Sequence, residues 1–554
     1  MTELACLPYG VGAAQEGVCL LVQIGTHRVL LDCGLADLSP LLEKGDYPPA
    51  DMVLCTHAHA DHARGLLSLH RHFPRLPIYA SDATTQLLPL NWLEEPEIPA
   101  FGRALPWRSP IEVLPGLRVE LFPAGHLPGA AAILLTEMDP TATRDRPLSL
   151  FYTGDFFLSN TRLVNGLPLE DVRGLKPDVL VVESSNGLTR LPRRRQQENQ
   201  LAELIYRAIA HRHSVLLPTP TLGLGQELLM LLRSHHHFTG RDIDIWVDPI
   251  VAAGCDAYLS LLPHLPSSVQ NFARHQPLFW DERVRPHVRR LSADAPAPVW
   301  DESHPAIVLI HRSADLAPYL QASNFPWLLL LSQESNAEPA DLPEEQMTPA
   351  VQAALASGHL TVDTYLLSDH CDGSNTAQLI HNLRPQHVVF VHGTEGDRAE
   401  LANLEELQNR YQLHIPGNGQ RVELPVGDAF IQPAPPDTRY IGEWNEADEG
   451  ISLQLPETLR ADPRWEQLAD TGIIEARWQG DELVIRGMAQ RELAQSIEHP
   501  LDLERECCQN CQFCRNHRCR NPASPLHGFR VSPEGYCPAF EAIAPPPTDI
   551  TEAE

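Results

Sequence analysis

The sequence predicts an α/β protein of several domains, and three observations lead there. Short apolar runs broken by turns fill residues 1–185, the pattern of the first part of an αββα sandwich. From Gln196 the period changes, with Leu201, Leu204, Ile205, Ala208 and Ile209 at helical spacing. A buried strand (Ser214 to Pro218), a helix from Gln226 and a strand (Ile243 to Val247) follow, a βα alternation that reads as a Rossmann-like layer. At 554 residues with 43% apolar content, the chain exceeds the roughly 250–300 residues at which one core stops growing.

The densest chemistry lies at one strand end. Met52-Val53-Leu54-Cys55 is apolar and runs directly into Thr56-His57-Ala58-His59-Ala60-Asp61-His62, an HxHxDH sequence. Imidazole and carboxylate are ordinary ligands of zinc and similar divalent ions. The alternating His57 and His59 can face one ion while Asp61 and His62 turn toward a second. A histidine-rich surface loop is the bland alternative, and four ligand-type side chains in six positions argue against it.

Further ligands follow in order. His126 sits in a Gly-rich turn after Phe122-Pro123, and Asp155 ends the strand Leu148 to Thr153, placed to bridge two ions. His392 ends the strand His387 to Val391. Singly each is weak; the set is what counts.

HxHxDH, Gly-His and Thr-Gly-Asp, with Asp32 closing the strand Val29-Leu30-Leu31, resemble the metallo-β-lactamase fold. Glu183 in Val181-Val182-Glu183-Ser184-Ser185, His370 in Ser368-Asp369-His370-Cys371-Asp372, and His392 narrow the resemblance to its β-CASP branch, the nucleases of mRNA 3′-end processing and bacterial RNA decay. Seven motifs fall in family order over about residues 1–430. The resemblance implies that His57, His59 and His126 hold one ion, that Asp61, His62 and His392 hold the other, and that Asp155 bridges them. Two zinc ions are the implied cofactors, with manganese as the alternative. Of the catalytic residues, Asp61 acts through metal, His370 is the implied general acid, and Glu183 orients it or holds its proton. Histidine at the last motif favours single-stranded RNA over DNA as substrate, threaded between two lobes. Two departures stand out: Asn186 replaces an aromatic after the acidic motif, and Gly223-Leu224-Gly225-Gln226-Glu227 lacks the family's arginine. Both are expected to border the nucleic-acid groove.

Charge cuts the other way. A formal −30 argues against a protein that coats nucleic acid nonspecifically, because phosphate contacts need Lys and Arg. Arg190, Arg193, Arg194 and Arg195 form a local basic cluster that reads either as groove lining or as a solvated helix start. No run of about 18 apolar residues is present, so no membrane span is expected and a cytoplasmic location is. A homodimer stays open.

The expected domain order is a first metallo-β-lactamase segment (1–185), a β-CASP insert (186–362), a return segment (363–430), a Pro-rich linker (431–437), a small α+β domain (438–500), a Cys-rich metal-binding module (501–544) and a disordered tail (545–554). Half of the 12 cysteines lie between 507 and 537, which in a reducing compartment points to metal ligation. Cys508, Cys511, Cys519 and Cys537 are the expected ligands, with Cys514 able to replace Cys508. Zinc and an iron–sulfur cluster are both compatible. Three function classes remain: a metal-dependent ribonuclease or DNA-directed relative, a small-molecule hydrolase of the same fold (thioesterase or lactonase), and a silent scaffold. The complete ligand set and the last two motifs favour the ribonuclease.

Overall fold

A computed structural model describes residues 4–13, 16–42, 47–138, 146–281, 283–292, 304–321, 325–333, 342 and 346–426. In the C-terminal part it describes the strands Ile474–Gln479 and Glu482–Gly487 and residues 508, 511–516, 518–522, 524, 527 and 531. The chain divides into two units, Met1–Pro436 and Asp437–Glu554. The linker 431–437, the tail 545–554, Cys507 and Cys537 lie outside the described residues.

Strict alternation in the early strands explains the sandwich. Val18, Leu20, Val22 and Ile24 face one way, joined by Leu4, Cys6, Val29 and Leu31. They meet Leu117, Val119, Leu121, Ile133, Leu135, Leu150, Val179 and Val181 of a second sheet in one buried cluster. Residues of the opposite parity, such as Cys19, Leu21, Leu30 and Val53, pack with the helices Leu66–His72 and Asp82–Leu87. Each of these two sheets has seven strands. The first runs Val422–Glu423, Leu4–Val11, Val18–Ile24, His27–Leu31, Met52–Leu54, Ile78–Ser81, Gly102–Leu105. The second runs Gln412–His414, His387–Val391, Val179–Glu183, Leu148–Tyr152, Ala131–Glu137, Leu117–Pro123, Ile111–Leu114.

The strands that carry the candidate ligands are parallel within each sheet. His27–Leu31 pairs parallel with Met52–Leu54, and Leu148–Tyr152, Val179–Glu183 and His387–Val391 run parallel to one another. Asp32, His57, Asp155, Glu183 and His392 therefore all lie at carboxyl ends, the usual crevice for ligands in α/β sheets.

A third sheet of six strands is parallel throughout, in the order His287–Arg290, Asp244–Val247, Ile307–His311, Ser214–Thr219, Trp327–Ser332, Leu360–Tyr365. Its helices begin slightly earlier than the periodicity suggests, at Arg194 and Leu224. The boundary expected at residue 362 needs correction, because it cuts a strand that pairs with Trp327–Ser332 through Tyr365. Leu360–Tyr365 is an edge strand in which Thr361, Val362 and Asp363 are all exposed, so it lacks the apolar run of an inner strand.

In the second unit, Ile474–Gln479 and Glu482–Gly487 form an antiparallel pair. Cys514 and Cys519 face each other across a short ribbon, and the Cys511 and Cys514 amides donate to the Cys508 and Cys511 carbonyls.

One buried pair ties the two large sheets behind the crevice. His387 Nε2 donates to the Pro425 carbonyl at 3.0 Å, which leaves Nδ1 to accept from His414 Nε2 at 3.0 Å. Burial lowers the pKa of both rings, that of His414 to about 4. The unfolded chain therefore binds more protons than the folded one below the ordinary histidine value of ~6.5. Stability is full above that value and falls as the pH drops toward 4. Calorimetry from pH 7 to pH 5 should show a smaller loss of Tm for His414→Gln, which keeps the N–H donor, than for the parent; parallel losses would refute the assignment.

Candidate metal centre

Asp32 is the hub behind the crevice. Fully buried, with its backbone in the left-handed region at φ 58°, it accepts from Thr56 N at 2.7 Å, Thr56 Oγ1 at 2.9 Å, His62 Nδ1 at 2.9 Å and Tyr152 OH at 2.8 Å. Gly34 lets the chain fold tightly beside it, since a Cβ there would lie 1.6 Å from the Asp61 carbonyl.

These contacts fix imidazole tautomers, because a carboxylate or carbonyl only accepts. His62 donates through Nδ1 to Asp32. Thr56 already donates to Asp32, so it accepts from His57 Nδ1 at 3.0 Å. His126 Nδ1 donates to the Asp369 carbonyl at 3.1 Å, and His59 Nε2 points to the Leu222 carbonyl at 3.4 Å. Ser185 Oγ donates to Glu183 Oε2 at 2.5 Å, so it accepts from His392 Nδ1 at 2.8 Å. Each of the five rings thus spends its N–H on an outward partner and turns a lone pair inward.

Those lone pairs converge on Asp155. Its Oδ2 lies 3.5 Å from His57 Nε2, 3.3 Å from His62 Nε2 and 3.7 Å from His126 Nε2, and Oδ1 lies 3.8 Å from His392 Nε2. His392 Nε2 is also 3.4 Å from Asp61 Oδ2. Two groups result, His57–His59–His126–Asp155 and Asp61–His62–Asp155–His392, each with its ligand atoms within 4.8 Å of one another.

The donor set fits divalent cations. His57 Nε2, His62 Nε2 and Asp155 Oδ1 are buried without a hydrogen-bond partner, which is costly for polar atoms that nothing satisfies. His59 Nδ1 and His126 Nε2 face each other at 3.0 Å as two lone pairs. Burial and the neighbouring rings hold the His57 pKa well below its ordinary value, and burial with His126 lowers that of His59 to about 4. Both are therefore in the neutral, ligating form.

His370 stands beside this group. Its Nδ1 donates to Glu183 Oε2 and Oε1 at 2.9 and 3.1 Å. Burial works against the charged ring, but Glu183 outweighs it and raises the His370 pKa well above its ordinary value. The Glu183 carboxylate also accepts from the Phe156 amide at 2.8 Å.

Sequence reasoning missed Ser185, Asp369 and the load carried by Asp32. The Ser185 hydroxyl gives no signal beyond adjacency to Glu183, while Asp369, at 3.7 Å from both His126 Nδ1 and His370 Nε2, was flagged only by its neighbour His370.

Asn186 lies inside the fold, whereas Leu224, which stands where the family has its arginine, is half-buried. Asn186 is buried and its side-chain amide donates to the Cys371 carbonyl at 3.0 Å, anchoring the His370 segment. Gln226 is fully buried, and Glu227 accepts from Thr161 Oγ1 and the Arg162 and Leu163 amides at 2.8–3.0 Å. The basic cluster splits. Arg194 is buried, donates to the Ser368 carbonyl at 2.6 Å and lies near Glu198 and Glu227. Arg193 and Arg195 line an open groove of about 730 Å³ with Arg207 and Glu203.

The terminal cysteines are less defined. Cys508, Cys511, Cys514 and Cys519 are not joined in disulfides, and among the described residues no three of them bring their sulfurs within 4.8 Å.

Residues 27–162 match a family model described as a Beta-lactamase superfamily domain, and residues 359–416 match a Zn-dependent metallo-hydrolase RNA specificity domain. The first span holds His57 through Asp155, the second His370 and His392. The chain is 48% identical, over 98% of its length and 97% of the relative's, to sll0514 of Synechocystis sp., an uncharacterized protein. It is 26% identical over 49% of its length to an RNase J-like protein of Methanocaldococcus jannaschii, and 24% identical over 74% to Endoribonuclease YSH1 of Mycosarcoma maydis. It spans 65% and 49% of those two proteins. The chain belongs to the metallo-β-lactamase superfamily of metal-dependent hydrolases, in its β-CASP ribonuclease family.

Proposed function

We propose that the protein is a zinc-dependent ribonuclease that hydrolyses RNA phosphodiester bonds with two metal ions. The observation that carries the reading is the ring of inward lone pairs around Asp155, with the Glu183-bound His370 at its side. His57, His59 and His126 would hold one ion, Asp61, His62 and His392 the other, and Asp155 both. When bound, such ions supply Lewis-acid stabilisation of phosphate oxygens and lower the pKa of a water. His370, held protonated by Glu183, gives its proton to the departing 3′ oxygen. Ser185 keeps His392 in the ligating tautomer, the orienting role that outer-shell hydrogen bonds play at metal sites.

Residues 186–365 would form the lobe that closes over the crevice, between a first segment (1–185) and the return. Cys508, Cys511, Cys519 and Cys537 would hold zinc or an iron–sulfur cluster that stabilises the terminal module. No helix among the described residues is long and apolar enough to cross a membrane.

End-labelled single-stranded RNA and DNA of one sequence test the substrate. Cleavage of RNA alone, abolished in Asp155→Asn, is the expected result. Cleavage of DNA instead moves the substrate to DNA, and cleavage of neither, by protein shown to carry metal, moves the reading to a small-molecule ester.

His370→Ala should lower kcat by ~10²-fold or more, the usual worth of a general acid, with metal content unchanged. A loss of metal in that variant would contradict the assigned role.

Ser185→Ala should weaken one of the two ions by ~10–100-fold, read by competition with a chelator, and Ser185→Thr should restore it. Unchanged affinity in Ser185→Ala would remove the positioning role.

A further inference from the structure

A second cluster of ligand-type side chains lies outside the crevice. The helix Leu224–Ser234 ends at three consecutive histidines, His235, His236 and His237. Their rings pack against one another, with centroids 4.3 Å apart for His235–His236, 4.2 Å for His236–His237 and 5.0 Å for His235–His237. One nitrogen from each lies within 4.8 Å of the other two. A carboxylate from another element meets one of them: Glu203, on the helix Arg194–Ala210, places Oε2 3.0 Å from His237 Nε2.

We infer that His235, His236 and His237 form, with Glu203, a binding site for a divalent transition ion of the zinc class. Three imidazoles and one carboxylate are a zinc donor set, and neither calcium nor magnesium would choose it.

The surroundings are arranged as such a site needs. His237 stacks on Tyr206 at 4.7 Å with planes 6° apart, and Arg241 lies over the other partner of that stack, the Tyr206 ring, at 4.9 Å. Glu203 keeps Oε1 on Arg207 Nε at 2.7 Å, so one oxygen is oriented while the other faces His237. This is the outer-shell orientation seen around metal-ligating carboxylates. His235, the most buried of the three, donates Nε2–H to Asn199 Oδ1 at 3.3 Å and accepts the His237 amide on Nδ1 at 3.3 Å. Both contacts are long, and an ion would take the place of one of them. Burial, then the charge of His236 and His237, lowers the His235 pKa, which leaves that ring neutral at ordinary pH. Packing three imidazoles this closely is unfavourable for protonated rings and natural for ligands.

An ion here would join the end of one helix to the middle of the other. It binds the folded chain and not the unfolded one, so it would raise stability as RT ln(1 + c/Kd), where c is its free concentration, and Tm would climb with the logarithm of c once above Kd. None of these residues belongs to the catalytic group, so the site acts on stability and not on turnover.

The test uses full-length protein purified without a polyhistidine tag. Zinc per chain is measured after buffer exchange for the parent and for His236→Gln/His237→Gln, alongside thermal denaturation with and without added zinc. The expected result is one equivalent less zinc in the variant, loss of the zinc-dependent rise in Tm, and unchanged RNA cleavage. Equal zinc content in the two proteins overturns the site, as does a difference that disappears on buffer exchange. Should the double variant fail to fold, Glu203→Gln alone is expected to weaken zinc binding by ~10-fold or more, and unchanged affinity there overturns it equally.

Discussion

The buried carboxylate of Asp32 is the constraint on which the rest of the site depends. A charge with no exposure costs several kcal/mol unless it is fully paired, and here the pairing is complete. Thr56 and His62 reach it from the first sheet and Tyr152 from the second, so one carboxylate fixes the two sheets against each other at the point where their parallel strands end. It does so in a left-handed backbone conformation, which a non-glycine residue holds only when its surroundings over-determine it. The tautomers of His57 and His62 follow from it, through Thr56 and directly. A change at Asp32 would therefore misorient two ligands without touching the space where ions bind.

The same logic repeats outward. Asp369 orients His126 through its backbone carbonyl, Leu222 does so for His59, and Glu183 serves His392 through Ser185 while holding His370 directly. Leu222 and Asp369 follow strands of the six-stranded sheet, so that lobe completes the site instead of only covering it. Gly223 keeps the approach open: with φ at 89°, its position would put a Cβ 3.4 Å from His59 Nε2. Movement of that lobe would then change ligand geometry as well as access.

The inner ligands were legible in the sequence because a metal demands dense, specific donors, and these follow apolar strands: His57, His59, Asp61 and His62 in one run, Asp155 and His392 at strand ends. The layers were legible from the short apolar runs broken by turns over residues 1–185 and from βα spacing after Gln196. Residues that act from behind a ligand were not. A serine that passes a hydrogen bond from Glu183 to His392 needs no spacing of its own, and Ser185 is indistinguishable from any loop serine. Asn186 and Arg194 misled for the converse reason: polar side chains near a motif suggest a groove, yet each is buried and donates to a backbone carbonyl. The end of the third sheet was set too early because Leu360–Tyr365 is an edge strand with three consecutive exposed residues and no apolar run to mark it.

The charge of the chain then becomes intelligible from the site outward. Asp61, Asp155, Glu183 and Asp369 gather within a few ångströms of one another's imidazole partners, and the whole molecule carries −30. Two like charges ~4 Å apart repel by ~4 kcal/mol at the effective dielectric of a protein surface. A phosphodiester entering this crevice meets that repulsion unless cations are already in place. Arginines supply little relief here, because Arg194 is committed to Ser368, Glu198 and Glu227. In the proposed reaction, ion binding and phosphate binding would therefore be one requirement, not two: the carboxylates that would hold the cations are the same groups that would otherwise exclude a phosphodiester, and only their neutralisation would admit it.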